Sequence, residues 1–410
     1  MSKFLDWVDA SIPLTSLWEE HLAKYYAPKN FNFWYYFGSL ALFLLVNQIV
    51  TGIFLTMNYV PDTHLAFASV QYIMRDVKWG WLIRYLHVVG ASMFFVVIYL
   101  HMFRGLLYGS YRKPRELVWI FGMVIFLALM AEAFMGYLLP WGNMSFWGAQ
   151  VITSLFGAIP IIGHGLQTWI RGSFVVSDAT LNRFFALHVI AVPLALAALV
   201  VGHIMALHEV GSNNPDGIEI KEKKDANGVP LDGIPFHPYY TVKDIFGVLV
   251  FMIIFLGIVF FVPGLFGWFI DRNNYVPANI LQTPADVVPL WYFTPFYAIL
   301  RSMNHSFLGV PAKELGLVAF ILSIVLFFFL PWLDRSPVKS IRYRGWMYKT
   351  ALTLFVVAFL GLGYIGTQPV NPKNLTYGHL FVTLYFAFFV LMPWYTKYDK
   401  TKPVPERVTK

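Results

Sequence analysis

Four histidines stand in two long apolar stretches of this chain, His87 and His101 in one, His188 and His203 in the other. Ionisable residues in such stretches are costly to keep and usually do chemistry. A single one serves as readily as a packed core residue as it does as a ligand, but two per stretch at matched separations say more. Fourteen residues climb about 21 Å along an α-helix and bring a side chain back to within about 40° of its starting face. His87 and His101 therefore point the same way at two depths. His188 and His203 are one residue further apart, with an offset of about 60° of the other sign. Pro193 lies between them, where a kink or local unwinding could absorb the extra residue. Two imidazoles facing each other across a helix bundle make a bis-histidine haem site. The pattern predicts two b-type sites, His87 with His188 and His101 with His203.

The same period recurs in glycine: Gly38 and Gly52 are fourteen apart, as are Gly122 and Gly136. Backbone can approach the edge of a porphyrin closely only where no Cβ intrudes, although small residues also serve ordinary helix packing. Arg84 and Arg104 sit three residues outside His87 and His101, placed either for haem propionates or as arginines that snorkel to the interface.

These residues need helices that cross a bilayer, and the composition supplies them. Of 410 residues, 58% are hydrophobic and only 13% charged, too few charges to cover a soluble protein of this size. We expect an all-α integral membrane protein with eight spans near 33–57, 81–104, 117–138, 182–207, 245–270, 314–333, 348–366 and 377–395. The first four form a bundle around the two haems. The histidine-bearing spans, second and fourth, then run parallel, so His87 and His188 lie toward one face and His101 and His203 toward the other. An even number of spans puts both termini on one side, and 21 of the 30 Lys and Arg fall there. By the positive-inside rule that side is cytoplasmic. The net charge of +8 thereby becomes a matter of orientation, and nucleic-acid binding loses its support. Zero cysteines rule out disulfides, thiolate-held iron–sulfur clusters and thioether-attached haem on this chain.

The expected organisation is an interfacial N-terminal helix within 1–32 and a haem-binding domain at 33–210 with an outer loop at 139–181. A cytoplasmic loop follows at 211–243, its Lys221 to Asp225 run a solvated turn. Further spans occupy 244–395, with an outer loop at 268–313, and a cytoplasmic tail takes 396–410.

Four segments carry a resemblance: Gly-Tyr-Leu-Leu-Pro-Trp-Gly-Asn-Met-Ser-Phe-Trp-Gly at 136–148, His-Glu-Val-Gly-Ser-Asn-Asn-Pro at 208–215, Pro-Phe-His-Pro-Tyr-Tyr-Thr-Val-Lys-Asp at 235–244 and Tyr-Ala-Ile-Leu-Arg-Ser at 297–302. Together they resemble the cytochrome b family of respiratory cytochrome bc complexes, proteobacterial type, from the first span to the last. The resemblance implies a low-potential haem on His87 and His188 and a high-potential haem on His101 and His203. It also implies ubiquinol oxidation near the outer face and quinone reduction near the inner one, coupled to proton translocation in a Q cycle. As partners it implies a Rieske iron–sulfur protein, a c-type haem subunit, membrane lipids and a second copy of the complex, in the bacterial inner membrane. The longer His188–His203 spacing departs from the mitochondrial pattern and resembles the photosynthetic relatives, yet all eight spans here lie in one chain.

At the inner quinone site the family pattern carries over to His208, Lys243 and Asp244, groups suited to exchanging protons. At the outer site the family usually has Pro-Glu-Trp-Tyr, whose glutamate is the proposed proton acceptor. Here Pro289-Leu290-Trp291-Tyr292 stands instead, and leucine accepts no proton. Glu132, where mitochondrial relatives carry a neutral residue, is the candidate replacement, with Met135 and Tyr292 bordering the same pocket. A structural hydrogen bond, or a link to a haem-side water chain, is the alternative for Glu132. A proton-relay transporter would account for the spans and Glu132 but leaves the matched depths and the glycine period without a reason. A haem-bearing anchor of a dehydrogenase would not need the Pro-Trp-Gly and Trp-Tyr outer loops.

Overall fold

In the computed structural model, which describes residues 3–19 and 23–409, the chain is mostly helical. The head of the chain is two short helices, α1 (Lys3–Asp9) and α2 (Leu14–Trp18), broken before Pro13 rather than one continuous interfacial helix. There follow α3 (Tyr36–Thr56), α4 (Ala66–Arg75), α5 (Gly80–Tyr108), α6 (Glu116–Leu138), α7 (Asn143–Phe156), α8 (Gly163–Arg171), α9 (Asp178–Ala186), α10 (Val192–Val210) and α11 (Tyr239–Phe261). The C-terminal part holds α12 (Thr294–Ser302), α13 (Ala312–Phe328), α14 (Leu330–Leu333), α15 (Trp346–Gly366), α16 (Pro372–Val390) and α17 (Met392–Tyr398).

Among the described residues six helical segments are long and apolar enough to cross a membrane: Phe33–Thr56, Gly80–Tyr108, Glu116–Leu138, Asp178–Val210, Tyr239–Phe261 and Trp346–Gly366. A seventh is α16 with α17, bent by 60° where Pro393 follows. The stretch expected at 314–333 forms the 17-residue α13, which stops at Phe328 two residues short of Pro331. Proline has no N–H to bond the carbonyl four residues back, and its ring crowds that carbonyl, which is how a continuous apolar run becomes a shorter helix and a separate turn. The same effect corrects the span expected to reach 270: α11 ends at Phe261, with Pro263 next but one.

Helices apolar all round show no sequence face; their neighbours choose one. On α3, Phe37, Leu40 and Leu44 are buried while Leu42, Val46, Val50 and Ile53 are exposed, an apolar surface for lipid. The closest helix pairings are α3 with α5, α6 with α10, and α15 with α12 and α16. The core between the two halves is aromatic: Tyr292 stacks on Phe95 at 3.9 Å, and Phe126 and Phe296 are fully buried beside them. In the outer loop α12 sits so close to its neighbours that a Cβ on Gly316 would come 2.6 Å from the Leu300 carbonyl. At the inner end of α5, Gly109 has φ +65° and lies against the Lys339 backbone, two conditions only glycine meets together.

The all-α expectation needs one amendment. Residues Tyr26–Pro28 (β1) pair antiparallel with Gly233–Pro235 (β2), holding the inner loop to the N-terminal segment. That loop is more than a solvated connection. Lys221 to Asp225 are exposed as expected, but Asn213, Asn214, Asp216 and Asp232 are buried. Asp216 accepts hydrogen bonds from Asn30, Arg342, Tyr343 and Thr409. Asp232 pairs with Lys29 at 2.9 Å and Arg407 at 2.7 Å. Glu219 pairs with Arg115 and Lys339. The C-terminal tail is therefore fastened across the same face as the N-terminal residues.

Candidate functional site

Each of the two closest pairs in the bundle joins a glycine helix to a histidine helix, α3 to α5 and α6 to α10. A Cβ on Gly52 would lie 3.3 Å from His87 Cε1, and one on Gly38 3.5 Å from His101 Cε1. A Cβ on Gly122 would lie 3.4 Å from His203 Cε1, and one on Gly136 would overlap the His188 ring. The four glycines thus match the four histidines one to one. Their nearest task is to admit imidazoles, which refines the expectation that they admit the edge of a flat cofactor.

The pairs face each other as the spacing implied. His87 and His188 have ring centres 6.2 Å apart with planes at 86°, and His101 and His203 have centres 6.4 Å apart at 62°. Two imidazole nitrogens each about 2 Å from one metal ion are about 4 Å apart, and half a ring on either side brings the centres to about 6 Å. Both pairs meet that requirement. The fifteen-residue separation is absorbed by a π-helical turn at Leu187–Ala191, in which the Val192 N–H reaches back to the Leu187 carbonyl. Pro193 lacks an N–H and begins the next α-helical segment, so the wider turn falls just ahead of it. One extra residue in one wide turn leaves the helices on either side in phase.

Hydrogen bonds fix the outer rings. Thr51 Oγ1 donates its single proton to the Asn47 carbonyl at 2.6 Å, so at 2.9 Å it accepts from His87 Nδ1–H. His188 Nδ1–H faces the Glu132 carbonyl at 3.0 Å and Glu132 Oε1 at 2.9 Å. With Nδ1 carrying the proton in both, Nε2 is left with its lone pair, the state a metal ligand needs. At the inner pair, His101 Nδ1 is buried with no partner among the described residues, and so is Arg104 Nε. An orphaned buried guanidinium nitrogen beside a histidine pair suits an anionic group such as a propionate. Arg104 also lies 5.0 Å from the Tyr35 ring centre. These features fit a haem at each pair.

A cavity of about 750 Å³ opens at the outer level, lined among others by Gly52, Arg84, His87, Glu132, Gly136, His188, Leu290 and Tyr292. Glu132 Oε2 is buried without a hydrogen-bond partner among the described residues. Of the expected outer-site residues, Glu132 and Tyr292 border this cavity, whereas Met135 packs in a neighbouring apolar cluster and Pro289 lies outside the lining. Tyr292 is held by Phe95 stacked on its ring and by Tyr99, whose hydroxyl donates to its carbonyl at 2.5 Å.

At the inner level a smaller cavity of about 350 Å³ is lined by Trp18, Phe236, Thr241, Asp244, Ile245, Val248 and Leu249. Asp244 therefore reaches it, and His208 and Lys243 do not. His208 stacks on Tyr25 at 4.4 Å, and Tyr25 in turn meets Phe236 of the cavity wall. Lys243 lies 5.2 Å from the Tyr240 ring centre. The three residues share one edge of the bundle without converging on one point.

Two participants were missed in the sequence. Thr51 adjoins Gly52 and, with Asn47 and Gln48, makes a polar group inside an apolar span, a signal that a membrane helix gives only for a reason. Tyr25 had no signal, since its place on His208 depends on the β1–β2 pairing.

Comparison with known proteins agrees with this geometry. Residues 22–211 match the family described as cytochrome b/b6/petB, and 277–386 match cytochrome b(C-terminal)/b6/petD. The chain is 59% identical to cytochrome b of Allochromatium vinosum over 409 residues, 99% of this chain and 98% of that one. It is 49% identical to cytochrome b of Rickettsia prowazekii, covering 98% and 96%. It is also 43% identical to a protein named cytochrome b/c1 from Bradyrhizobium diazoefficiens, covering 99% of this chain and 56% of that one. A chain of a structure described as a hyperthermophilic respiratory Complex III superposes with a TM-score of 0.86 at 38% identity, covering 96% and 98%. With two facing histidine pairs set in membrane helices and relatives matched along almost its whole length, this chain belongs to the cytochrome b family and serves respiratory electron transfer in a bc1-type complex.

Proposed function

We propose that the chain is the two-haem, quinol-oxidising and quinone-reducing subunit of ubiquinol–cytochrome c oxidoreductase, working by a Q cycle in the bacterial inner membrane. The observation that carries this reading is the pair of histidine pairs at two depths of α5 and of the span Asp178–Val210, 6.2 and 6.4 Å across, with a cavity opening beside each level. When bound, one b-type haem on His87 and His188 and another on His101 and His203 supply one-electron carriers at two levels of the membrane.

The residues divide the remaining work. Arg84 and Arg104 hold the propionates, and the glycines keep the imidazoles upright. Quinol binds in the outer cavity between Leu290, Tyr292 and Glu132. Leu290 keeps that wall apolar and water out of it. Glu132 Oε2, buried and without a partner, is the oxygen placed to take the quinol proton that the family's missing glutamate would take. Quinone binds in the inner cavity, where Asp244 is the nearest proton donor and His208 and Lys243 stand at the cytoplasmic edge to resupply it.

The count of eight spans is part of the same proposal, with α13 and α14 as a short crossing, and it sets both termini in the cytoplasm with most of the basic residues. A chain without cysteine needs a partner for an iron–sulfur cluster, hence a Rieske protein. The relative whose name joins cytochrome b to c1, and which extends well beyond this chain, supports a c-type haem subunit as the other partner. A second copy of the complex completes the assembly.

A potentiometric titration of the purified complex at the b-haem absorbance tests the reading. Two separate one-electron transitions assigned to this chain are expected. A single transition, or no haem by pyridine haemochrome assay, would overturn it.

A further inference from the structure

The two histidine pairs are nearly equal in separation and unequal in what stands behind them. His87 leans on a neutral hydroxyl, Thr51. His101 Nδ1 is buried with no partner among the described residues. Among the described residues only His188 has a carboxyl group behind it, Glu132 Oε1 at 2.9 Å, in addition to the Glu132 carbonyl at 3.0 Å. Both contacts come from one residue on α6, four positions before the Gly136 that the His188 ring lies against, so the ring is held against one face of one helix. The side chains of Glu132 and His188 are each 16% exposed, so solvent does little to weaken the interaction.

We propose that Glu132 is a positioning residue that sets the redox potential of the outer haem through His188. A carboxyl oxygen accepting Nδ1–H draws that proton away from the ring and makes Nε2 a stronger donor to the metal. A stronger donor favours the higher charge on iron, so the ferric state gains over the ferrous and the potential falls. The inner pair has no such group, so the outer haem lies lower and electrons run from outer to inner. The residue that occupies the neutral position of mitochondrial relatives thus biases the direction of transfer across the membrane. This rests on the proposed reading that each pair holds a haem.

The test is Glu132→Gln in the intact complex, read as the two b-haem midpoints together with the low-spin ferric EPR signals. Gln keeps the size and an acceptor oxygen but removes the acid. The expected result is a tenfold shift of the electron partition toward the outer haem, a rise of about 59 mV for one electron, with the inner midpoint unmoved and only the outer EPR signal displaced. Glu132→Asp, which withdraws the carboxyl from Nδ1, should move the same midpoint in the same direction. Thr51→Val, on the opposite ligand, should move it less. An outer midpoint unchanged or lowered in both Glu132 variants overturns the inference while leaving the two haems in place. Loss of one transition in the parent complex would instead overturn the two-haem reading itself.

Discussion

Replacing Gly136 by alanine separates two reasons for the glycine period. A Cβ there would sit 2.9 Å from both Nδ1 and Nε2 of His188 and nearer still to Cε1. Carbon contacts are comfortable at about 3.5–4.0 Å, so the ring would have to retreat by about 1 Å. It has little room to do so, because Nδ1 is held at 3.0 and 2.9 Å by the carbonyl and carboxyl oxygens of Glu132 on the same helix. Forced overpacking of this kind costs about 1–3 kcal/mol. Alanine returns up to about 1 kcal/mol as the better helix former, which leaves a net deficit of about 0–2 kcal/mol, concentrated on one ligand. Disturbing the groups that orient a metal ligand typically costs about 10–100-fold in affinity. Gly38→Ala is the control: its Cβ would stand 3.5 Å from His101 Cε1, an ordinary contact. Haem per chain by pyridine haemochrome, with the two transitions resolved by redox titration, should show Gly136→Ala losing the outer haem and Gly38→Ala keeping both. Equal losses in the two variants would mean that the porphyrin edge is what the glycines admit. Full haem in Gly136→Ala would refute the contact argument altogether.

Two further outcomes follow from other parts of the fold. Deleting Ile190, an exposed residue of the π-helical turn Leu187–Ala191, should close that turn into α-helix with His188 and the later His203 still facing their partners; retention of both haem transitions is expected, and loss of the outer one refutes the in-phase account. On the face that the C-terminal tail crosses, burial pushes the Asp216 carboxyl up, but hydrogen bonds from Tyr343, Thr409 and Arg342 outweigh it and hold it below the usual carboxylate range. Burial likewise pushes the Asp232 carboxyl up, but Arg407, Lys29 and the Val408 N–H outweigh it and hold it far below that range. As pH falls, the unfolded chain takes up these protons first, near the ordinary value of about 3.9. The stabilisation is therefore complete above about pH 4 and is lost on the way down to the folded values. The Val408 and Thr409 amides, which donate to Asp232 and Asp216, should keep their hydrogen-exchange protection factors from pH 7 to 5 and lose them below about 4; loss already between pH 7 and 5 would refute the assignment.

How far the fold could be read in advance depended on whether a property was local. The histidine depths and the glycine period follow from the pitch of a single helix, and both survive in the structure. Pro193 marked where the extra residue would be absorbed, while the form it took, a π turn, depends on which carbonyls the missing N–H leaves free. The stretch at 314–333 reads as one apolar run because hydropathy does not register that the chain turns at Phe329, ahead of Pro331. The inner knot was illegible for a different reason: the partners of Asp216 and Asp232 lie at 342, 343, 407 and 409. A charged loop has the same composition whether its charges are solvated or paired across the fold.

The comparison of the two histidine pairs carries the same lesson into function. Separations of 6.2 and 6.4 Å leave almost nothing for geometry to distinguish, so any difference in chemistry between the levels has to come from the groups behind the ligands and the space beside them. At the outer level a hydroxyl and a carboxyl take the two Nδ1 protons, and a large cavity reaches both rings. At the inner level His101 Nδ1 has no partner among the described residues, and the smaller cavity, lined by Trp18, Phe236 and residues of α11, includes neither ring in its lining. A sequence reader sees four equivalent histidines. The fold makes them unequal by choosing, on α3 and α6, which residue stands next to each matching glycine: Thr51 beside Gly52, and Glu132 one turn before Gly136. Those two positions, rather than the ligands themselves, are where the two levels differ in what stands behind the rings.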